Sequence, residues 1–518
     1  MTIGSADRAE SAILDERRRY LAQSEISISA RDRLVVAGIL RADTMRDLAP
    51  DALVNEVLPH DADLVIERTD PDLLLVESSA LGVGSPWTGA GEPSVADVAR
   101  RLRRALEVAH SIGRPSVLWW NGPRTATPGA IPFESRFDLV VATDADPSDA
   151  DTAWSPGVQL ARFSPLGVRT DRPFHPVAHG RWDQAPRRGL RSFVQEALAA
   201  LADDRLELWI DAESVPRSTW LPVERPARGV RRVLDIELPD LYRGHGLFLA
   251  EPLTERPGRR VVSTHTLRQL ASDARVVSGP NPSLAPDLGA WIDWADDPAS
   301  LPGVVRDAAK LGARTPTERR RLLRQLFRGH DTSKAVGTLA KLVGATGATR
   351  RRNASVVARL DAHVRPEAFV DSVILQELRP AEALIAADDP ADARTAINEL
   401  ERAGIKARLL PPVAAGRGLA RSAASLSTSD WLWLWSHEID HDPRFLIDAV
   451  LHGVVTGAAA IGRGDGAEDR FVSGPELRGM VVSREAAMRL PEVGDDLLTA
   501  WSDRGARVYA VGTDHDDG

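Results

Sequence analysis

Leu241–Pro280, LYRGHGLFLAEPLTERPGRRVVSTHTLRQLASDARVVSGP, reads as strand, basic loop, capped helix and second strand. Gly246 to Ala250 is a short apolar run, and Leu253 to Arg260 is a polar loop ending in Arg259 and Arg260. A helix then starts near Ser263 or Thr264, whose hydroxyls suit an N-cap. Leu267, Leu270 and Ala271 fall at helical spacing on its buried face, and Ala274 to Ser278 is the next strand. A helix start offers unpaired N–H groups and the positive end of the dipole, so a phosphate flanked by two arginines fits there. The same residues also read as an ordinary βαβ unit with a solvated arginine pair.

Upstream, Ala6 to Ser24 reads as a charged helix with a thin apolar stripe, and Arg33 to Leu40 and Pro71 to Ser78 read as strands. The second of these is a continuous apolar run, the pattern of a parallel strand buried on both faces. Ser94 and Asp97 open a helix that Gly113 stops, with Arg100, Arg101, Arg103 and Arg104 on its solvated side. Pro115 to Trp120 and Phe137 to Asp144 are two more strands, and the alternation predicts an α/β fold with a doubly wound parallel sheet. Ligands of such sheets bind beyond the strand carboxyl ends, which selects Glu77, Ser78, Asn121, Thr143 and Asp144 as cleft residues. Trp87, Trp119 and Trp120 lie near the same ends and read either as sugar-stacking platforms or as core.

Phe163 to Pro186, rich in Pro, Arg and His, reads as an interdomain crossing. A second α/β unit follows, with a helix over Leu190 to Leu201 and strands at Arg205 to Asp211 and Arg231 to Leu238. Thr315, Pro316 and Glu318 start a helix, and the unit closes near Val343. Gly344 to Asn353 reads as a linker to a separate, smaller α/β unit with strands at Ser355 to Val357, Ala383 to Ala387 and Trp431 to Trp435.

The 518 residues contain no cysteine, which removes disulfides, thiolate zinc sites and a cysteine nucleophile and fits a reducing, cytoplasmic compartment. No transmembrane or signal segment is legible, and a net charge of −9 argues against a nucleic-acid partner.

RLVVAGIL, PDLLLVESSALGVGSPW, GRPSVLWWN, FDLVVATD, LPDLYR and LRQLASDARVVSG together resemble, in order and interval, the CgeB-type bacterial glycosyltransferases. That family has the B-type (GT-B) fold of two facing Rossmann-like domains. The resemblance covers about Arg31 to Val343 and implies domains at 31–165 and 166–343 after an N-terminal helix at 1–30. It places the donor nucleotide at Tyr242, Arg259, Arg260, Ser263, Thr264, His265 and Arg268, with no metal. The chain departs from the family where a ribose-binding glutamate is expected, since Arg268 stands there and cannot accept hydroxyl protons. The acidic pair expected after the WN segment is replaced by Gly122, Pro123 and Arg124.

Residues 355–518, after a linker at 344–354, resemble a shortened A-type (GT-A-like) glycosyltransferase of the large inverting group. SVVARLDAHVRPEAF, EALIAADDPADART, GLARSAASLSTSDWLWLW and EIDHDPRFL carry that resemblance. It implies that Asp361, Asp388 and Asp389 contact base and ribose, and that Glu438, Asp440 and Asp442 hold Mg²⁺ or Mn²⁺. Asp495 and Asp496 fall in its catalytic-base region, and Glu77 and Asp144 are the catalytic candidates of the first part. The motif's first aspartate is displaced by Ser436 or His437, which marks the domain as degenerate.

His437-Glu438-Ile439-Asp440-His441 is a literal HExxH, the zinc-protease signature, and that chemistry needs both histidines on one helix. The preceding WLWLW alternates as a strand does, and Pro443 biases Asp442 away from helix, so the helix is expected after Pro443. His175, His179, His245 and His265 show no ligand spacing and read as surface or satisfied core residues, with the cleft as the alternative for His245 and His265. The combined expectation is a transferase moving sugar from a nucleotide-sugar donor to a glycan, envelope polymer or protein acceptor. The alternative is a non-catalytic glycosyltransferase-like subunit that binds a partner enzyme, a second copy or a glycan.

Overall fold

The structure is a computed structural model and describes residues 33–82, 84–90, 96–121, 124, 127–143, 152–180, 201, 206–211, 230–250, 263–279, 287–297, 299–345, 352–411, 418–439, 442–464, 469–472, 478–489, 501 and 505–512. The expected helices at residues 6–24 and 190–201 lie outside the described residues, apart from Leu201.

The first unit runs β1 (Leu34–Ile39), α1 (Ala42–Leu48), β2 (Ala52–Glu56), α2 (Ala62–Thr69), β3 (Leu73–Glu77), α3 (Ala96–Ser111), β4 (Ser116–Trp120), β5 (Leu139–Ala142) and β6 (Thr152–Ala153). Its sheet has the order β2-β1-β3-β4-β5-β6, all parallel. β3 and β4 are buried along their whole length, as their continuous apolar runs require. α3 ends where Gly113 turns left-handed at φ +69° and Arg114 N–H donates to Ala109 C=O at 2.9 Å.

The second unit contains β7 (Pro176–Gly180), β8 (Glu207–Asp211), β9 (Val230–Val233), α4 (Leu238–Gly244), β10 (Leu247–Ala250), α5 (Thr264–Ala271), β11 (Arg275–Ser278), β12 (Ile292–Trp294), α6 (Leu301–Leu311) and α7 (Pro316–Gly329). Its parallel sheet has the order β12-β11-β10-β7-β8-β9. The crossing segment is therefore corrected, because Pro176–Gly180 is a central strand. Pro176 is its first residue, where a missing N–H is tolerated. The strand expected over Arg231 to Leu238 is also corrected: it ends at Val233, Asp235–Glu237 is a 3₁₀ turn and Leu238 opens α4. At α7 the capping box forms as expected, with Glu318 N–H donating to Thr315 Oγ1 at 3.2 Å and Thr315 N–H to Glu318 Oε2 at 2.8 Å.

The next helix, α8 (Thr332–Leu342), packs on the first unit rather than closing the second. Its Val336, Leu339 and Ala340 join Leu34, Leu48, Leu75 and Trp119 in one core.

The third unit comprises β13 (Ala354–Leu360), α9 (Pro366–Ile374), β14 (Glu382–Ala387), α10 (Pro390–Arg402), β15 (Lys406–Leu409), α11 (Leu419–Leu426), β16 (Trp431–Leu434), α12 (Phe445–Thr456), β17 (Ala460–Arg463), β18 (Arg470–Val472), β19 (Arg478–Ser483), α13 (Arg484–Arg489) and β20 (Val508–Val511). They form an eight-stranded mixed sheet of order β15-β14-β13-β16-β19-β17-β20-β18. This unit is not detached from the second. One continuous apolar core runs from Leu322 and Leu326 of α7 to Leu446 and Val450 of α12. Beside it, Arg324 forks onto both oxygens of buried Asp448 at 2.6 and 3.0 Å.

Candidate functional site

Strand order in the first sheet reverses between β1 and β3, and in the second between β7 and β10. At such a switch point the flanking connections leave in opposite directions and open a crevice beyond the strand carboxyl ends. In the first sheet that crevice is bounded by Arg41 and Glu77. Glu77 Oε2 accepts the Arg41 backbone N–H at 3.0 Å, and Oε1 accepts Ser79 Oγ–H at 2.6 Å and the Asn121 amide. Asn121 also takes Ser78 Oγ–H on its carbonyl at 3.0 Å. The predicted residues Glu77, Ser78 and Asn121 are thus one cluster. Burial, reinforced by the Asp43 carboxylate, pushes the Glu77 carboxyl above its ordinary value.

The second sheet brings a chain of four polar side chains to its own switch point. Asp211 Oδ1 lies 3.1 Å from His179 Nε2, His179 Nδ1 lies 2.9 Å from Tyr242 Oη, and Tyr242 Oη lies 3.0 Å from His265 Nδ1. Proton counting gives this chain a direction. With Asp211 a carboxylate and one proton on each imidazole, His179 donates from Nε2 to Asp211 and Tyr242 donates to the His179 Nδ1 lone pair. Tyr242 Oη then accepts His265 Nδ1–H, which leaves the His265 Nε2 lone pair as the open end. Burial, with His179 adding to it, pushes His265 down to about 3, so the imidazole is neutral at physiological pH. Burial raises Asp211, but the His179 hydrogen bond and surrounding positive charge, that of Arg41 included, outweigh it and hold the carboxyl below its usual range. Only His265 of this chain had been selected as a cleft residue together with Tyr242. Asp211 and His179 are remote in sequence and give no local signal.

His265 sits in the first turn of α5. Ser263 is the N-cap, but its hydroxyl makes no hydrogen bond to that turn. Arg41 and Asp43 of the first unit lie close enough to shift Asp211 and His265, so the two switch points share one electrostatic environment.

Arg268, one turn further along α5, has a different role from the expected one. It is 2 % exposed, and its guanidinium meets Asp47 Oδ2 at 2.5 Å and Asp43 Oδ2 at 3.4 Å, both on α1. Arg162 adds a second contact to Asp47 at 2.7 Å. The charge expected to meet a nucleotide is consumed in locking the first two units together. Burial pushes Asp43 up, and Arg268 and Arg41 more than offset it.

Trp87 is core: it is 2 % exposed and its Nε1–H donates to Val57 C=O at 2.8 Å. Trp119 is also core, stacked edge-on against Trp154 at 5.1 Å with its Nε1–H on Thr143 Oγ1 at 2.9 Å. Neither offers a stacking face to a sugar. Asp144, Arg259, Arg260, Asp440, Asp495 and Asp496 lie outside the described residues.

In the third unit β14, β13 and β16 are neighbours, and Asp388 with Asp389, Asp361, and Ser436 to Glu438 follow their carboxyl ends. Asp361 accepts the His363 N–H at 2.9 Å, Asp388 pairs with Arg359 at 3.2 Å, and Asp389 caps α10 through the Ala391 N–H at 2.8 Å. Asp442 is engaged by Arg463 and by the Arg444 N–H at 2.5 Å, while Glu438 stands exposed. A hard cation needs several converging free oxygens, and the described residues do not supply them here. His437 and Glu438 lie in a turn and the helix begins at Phe445, so the zinc-protease geometry is not formed.

No family model matches the chain, and no curated protein matches it. Among solved structures it is similar to AviGT4, a glycosyltransferase involved in avilamycin A biosynthesis, at 13% identity over 60% of this chain and 97% of that one, with a TM-score of 0.33. It is similar to a glycosyltransferase from Rickettsia africae at 11% identity over 60% and 98%, with a TM-score of 0.35. It is similar to MurG of Acinetobacter baumannii at 13% identity over 55% and 77%, with a TM-score of 0.26. Among the described residues no helix is long and apolar enough to cross a membrane.

Proposed function

We propose that the chain is a glycosyltransferase whose nucleotide-sugar donor binds where the first two sheets meet, with the diphosphate at the start of α5. The observation that carries this reading is the hydrogen-bond chain Asp211–His179–Tyr242–His265, which ends in an open Nε2 lone pair at that helix start. Transfer breaks the bond between the anomeric carbon and a diphosphate oxygen, which leaves with the electron pair. An acceptor hydroxyl oxygen forms the new bond to that carbon, and His265 Nε2 takes the hydroxyl proton. An imidazole held at about 3 by burial is a weak base in the resting protein, but an adjacent diphosphate raises its pKa. The imidazolium donates through Tyr242 and His179 toward Asp211, so the growing charge is shared along the chain. The N–H groups of the first turn of α5, with Arg259 and Arg260, neutralise the leaving diphosphate without a metal.

The test is a thermal-shift panel of UDP, GDP, dTDP and CMP and their sugars, with and without Mg²⁺ or Mn²⁺. A nucleotide at a hundred times its Kd adds about 2.7 kcal/mol of stability. The reading requires a metal-independent shift and nucleotide release that His265→Gln abolishes. Silence across the panel favours the non-catalytic subunit.

A further inference from the structure

At the opposite end of the second sheet, where strands begin, three side chains converge from segments far apart in sequence. His175 immediately precedes β7, Glu207 opens β8, and His245 lies two residues before β10, and these three strands are adjacent. Their ligand atoms all lie within 4.8 Å of one another. We propose that His175 Nε2, His245 Nε2 and the Glu207 carboxylate bind one divalent transition-metal ion of the Zn²⁺ class. His245 therefore lies at the edge of the sheet away from the cleft.

The surroundings fix the donor atoms. His245 Nδ1–H donates to Leu241 C=O at 3.0 Å, which leaves Nε2 with its lone pair, the arrangement that orients a metal-binding imidazole. Glu207 Oε2 accepts Trp209 Nε1–H at 3.1 Å, faces Arg231 at 3.4 Å and lies 3.8 Å from His245 Nε2, while Oε1 is turned to His175. Oε1 lies 2.9 Å from His175 Nε2, and an ion would replace the proton shared there. The two imidazoles stand edge-to-face at 5.6 Å, and Trp209 at 5.9 Å and Phe248 at 6.2 Å form walls that hold the His245 ring. Two imidazoles and one carboxylate suit Zn²⁺, Co²⁺ or Ni²⁺, whereas Mg²⁺ prefers all-oxygen ligands and near-octahedral geometry. The three ligands are partly buried, so water can complete the coordination shell.

The whole chain is stripped with a chelator, dialysed, and titrated with Zn²⁺ by calorimetry and with Co²⁺ by visible absorption. The expected result is one ion per chain, a higher Tm with Zn²⁺ and none with Mg²⁺, and Co²⁺ d–d bands of low coordination number. His245→Asn and Glu207→Gln should each weaken Zn²⁺ by at least about tenfold, while His110→Ala, at an exposed histidine on α3, should not. Circular dichroism identifies a variant that fails to fold, and His175→Asn then serves in its place. No stoichiometric Zn²⁺ binding, or unchanged affinity in folded His245→Asn or His175→Asn, would overturn the assignment.

Discussion

Arg268 on α5 lies 2.5 Å from Asp47 on α1, a contact between residues 221 apart in the chain that joins the first unit to the second. Both are almost fully buried, so removing the cation leaves the Asp47 carboxylate, away from water, with the Arg162 contact but without its closest ion pair. Arg268→Met should destabilise the protein by about 1–3 kcal/mol. The double variant with Asp47→Asn should recover part of that loss. Denaturant unfolding of the four forms measures the coupling.

The same contact marks the limit of what the sequence discloses. β1, β3 and β4 are apolar runs with no rival reading, and the Thr315–Glu318 box is a local pattern, so both were legible. β2 is an edge strand with only Ala52 buried, and β7 is five residues beginning with proline, so neither announces itself. Glu77, Ser78 and Asn121 were found because a strand end is a position a sequence can specify. The relay from Asp211 to His265 was not, because each member is a single polar residue whose meaning lies in its neighbours. Arg268 was legible as a departure from a family pattern, but its partner on α1 was not.

The His265 imidazole predicts a pH dependence with a definite sign. Its folded pKa is about 3, while in the unfolded chain it is about 6.5. Between these values the unfolded chain binds more protons, so stability rises with pH. The contribution is complete above about 6.5 and is lost as pH falls toward 3. His265→Gln should flatten this segment of a stability–pH curve measured by urea unfolding relative to wild type.

Gly157 has φ +68°, and a Cβ there would stand 2.2 Å from His330 C=O. The close approach is built into the crossing, where Val158 N–H donates to His330 C=O at 2.7 Å and Thr332 N–H returns to Val158 C=O at 3.1 Å. Gly157→Ala should therefore cost more than about 1 kcal/mol. A lowered Tm with loosened packing of α8 on the first sheet, read by hydrogen exchange, is the expected outcome.

The Arg324–Asp448 fork should fix the third unit against α7. Arg324→Met removes both hydrogen bonds of the fork from buried Asp448, and should cost about 1–3 kcal/mol. Proteolysis should then cut more readily between the second and third units, whereas Arg306→Met, at an exposed residue of α6, should leave the digestion pattern unchanged.

The most direct test of the proposed donor site is nucleoside-diphosphate binding by calorimetry in EDTA, using wild type, the Arg259→Ala/Arg260→Ala double variant, His265→Gln and Glu438→Ala. The account predicts metal-independent binding to wild type and Glu438→Ala, weakened at least about tenfold, or about 1.4 kcal/mol, in the other two. Binding that requires a metal, or that is lost in Glu438→Ala and intact in His265→Gln, would contradict it.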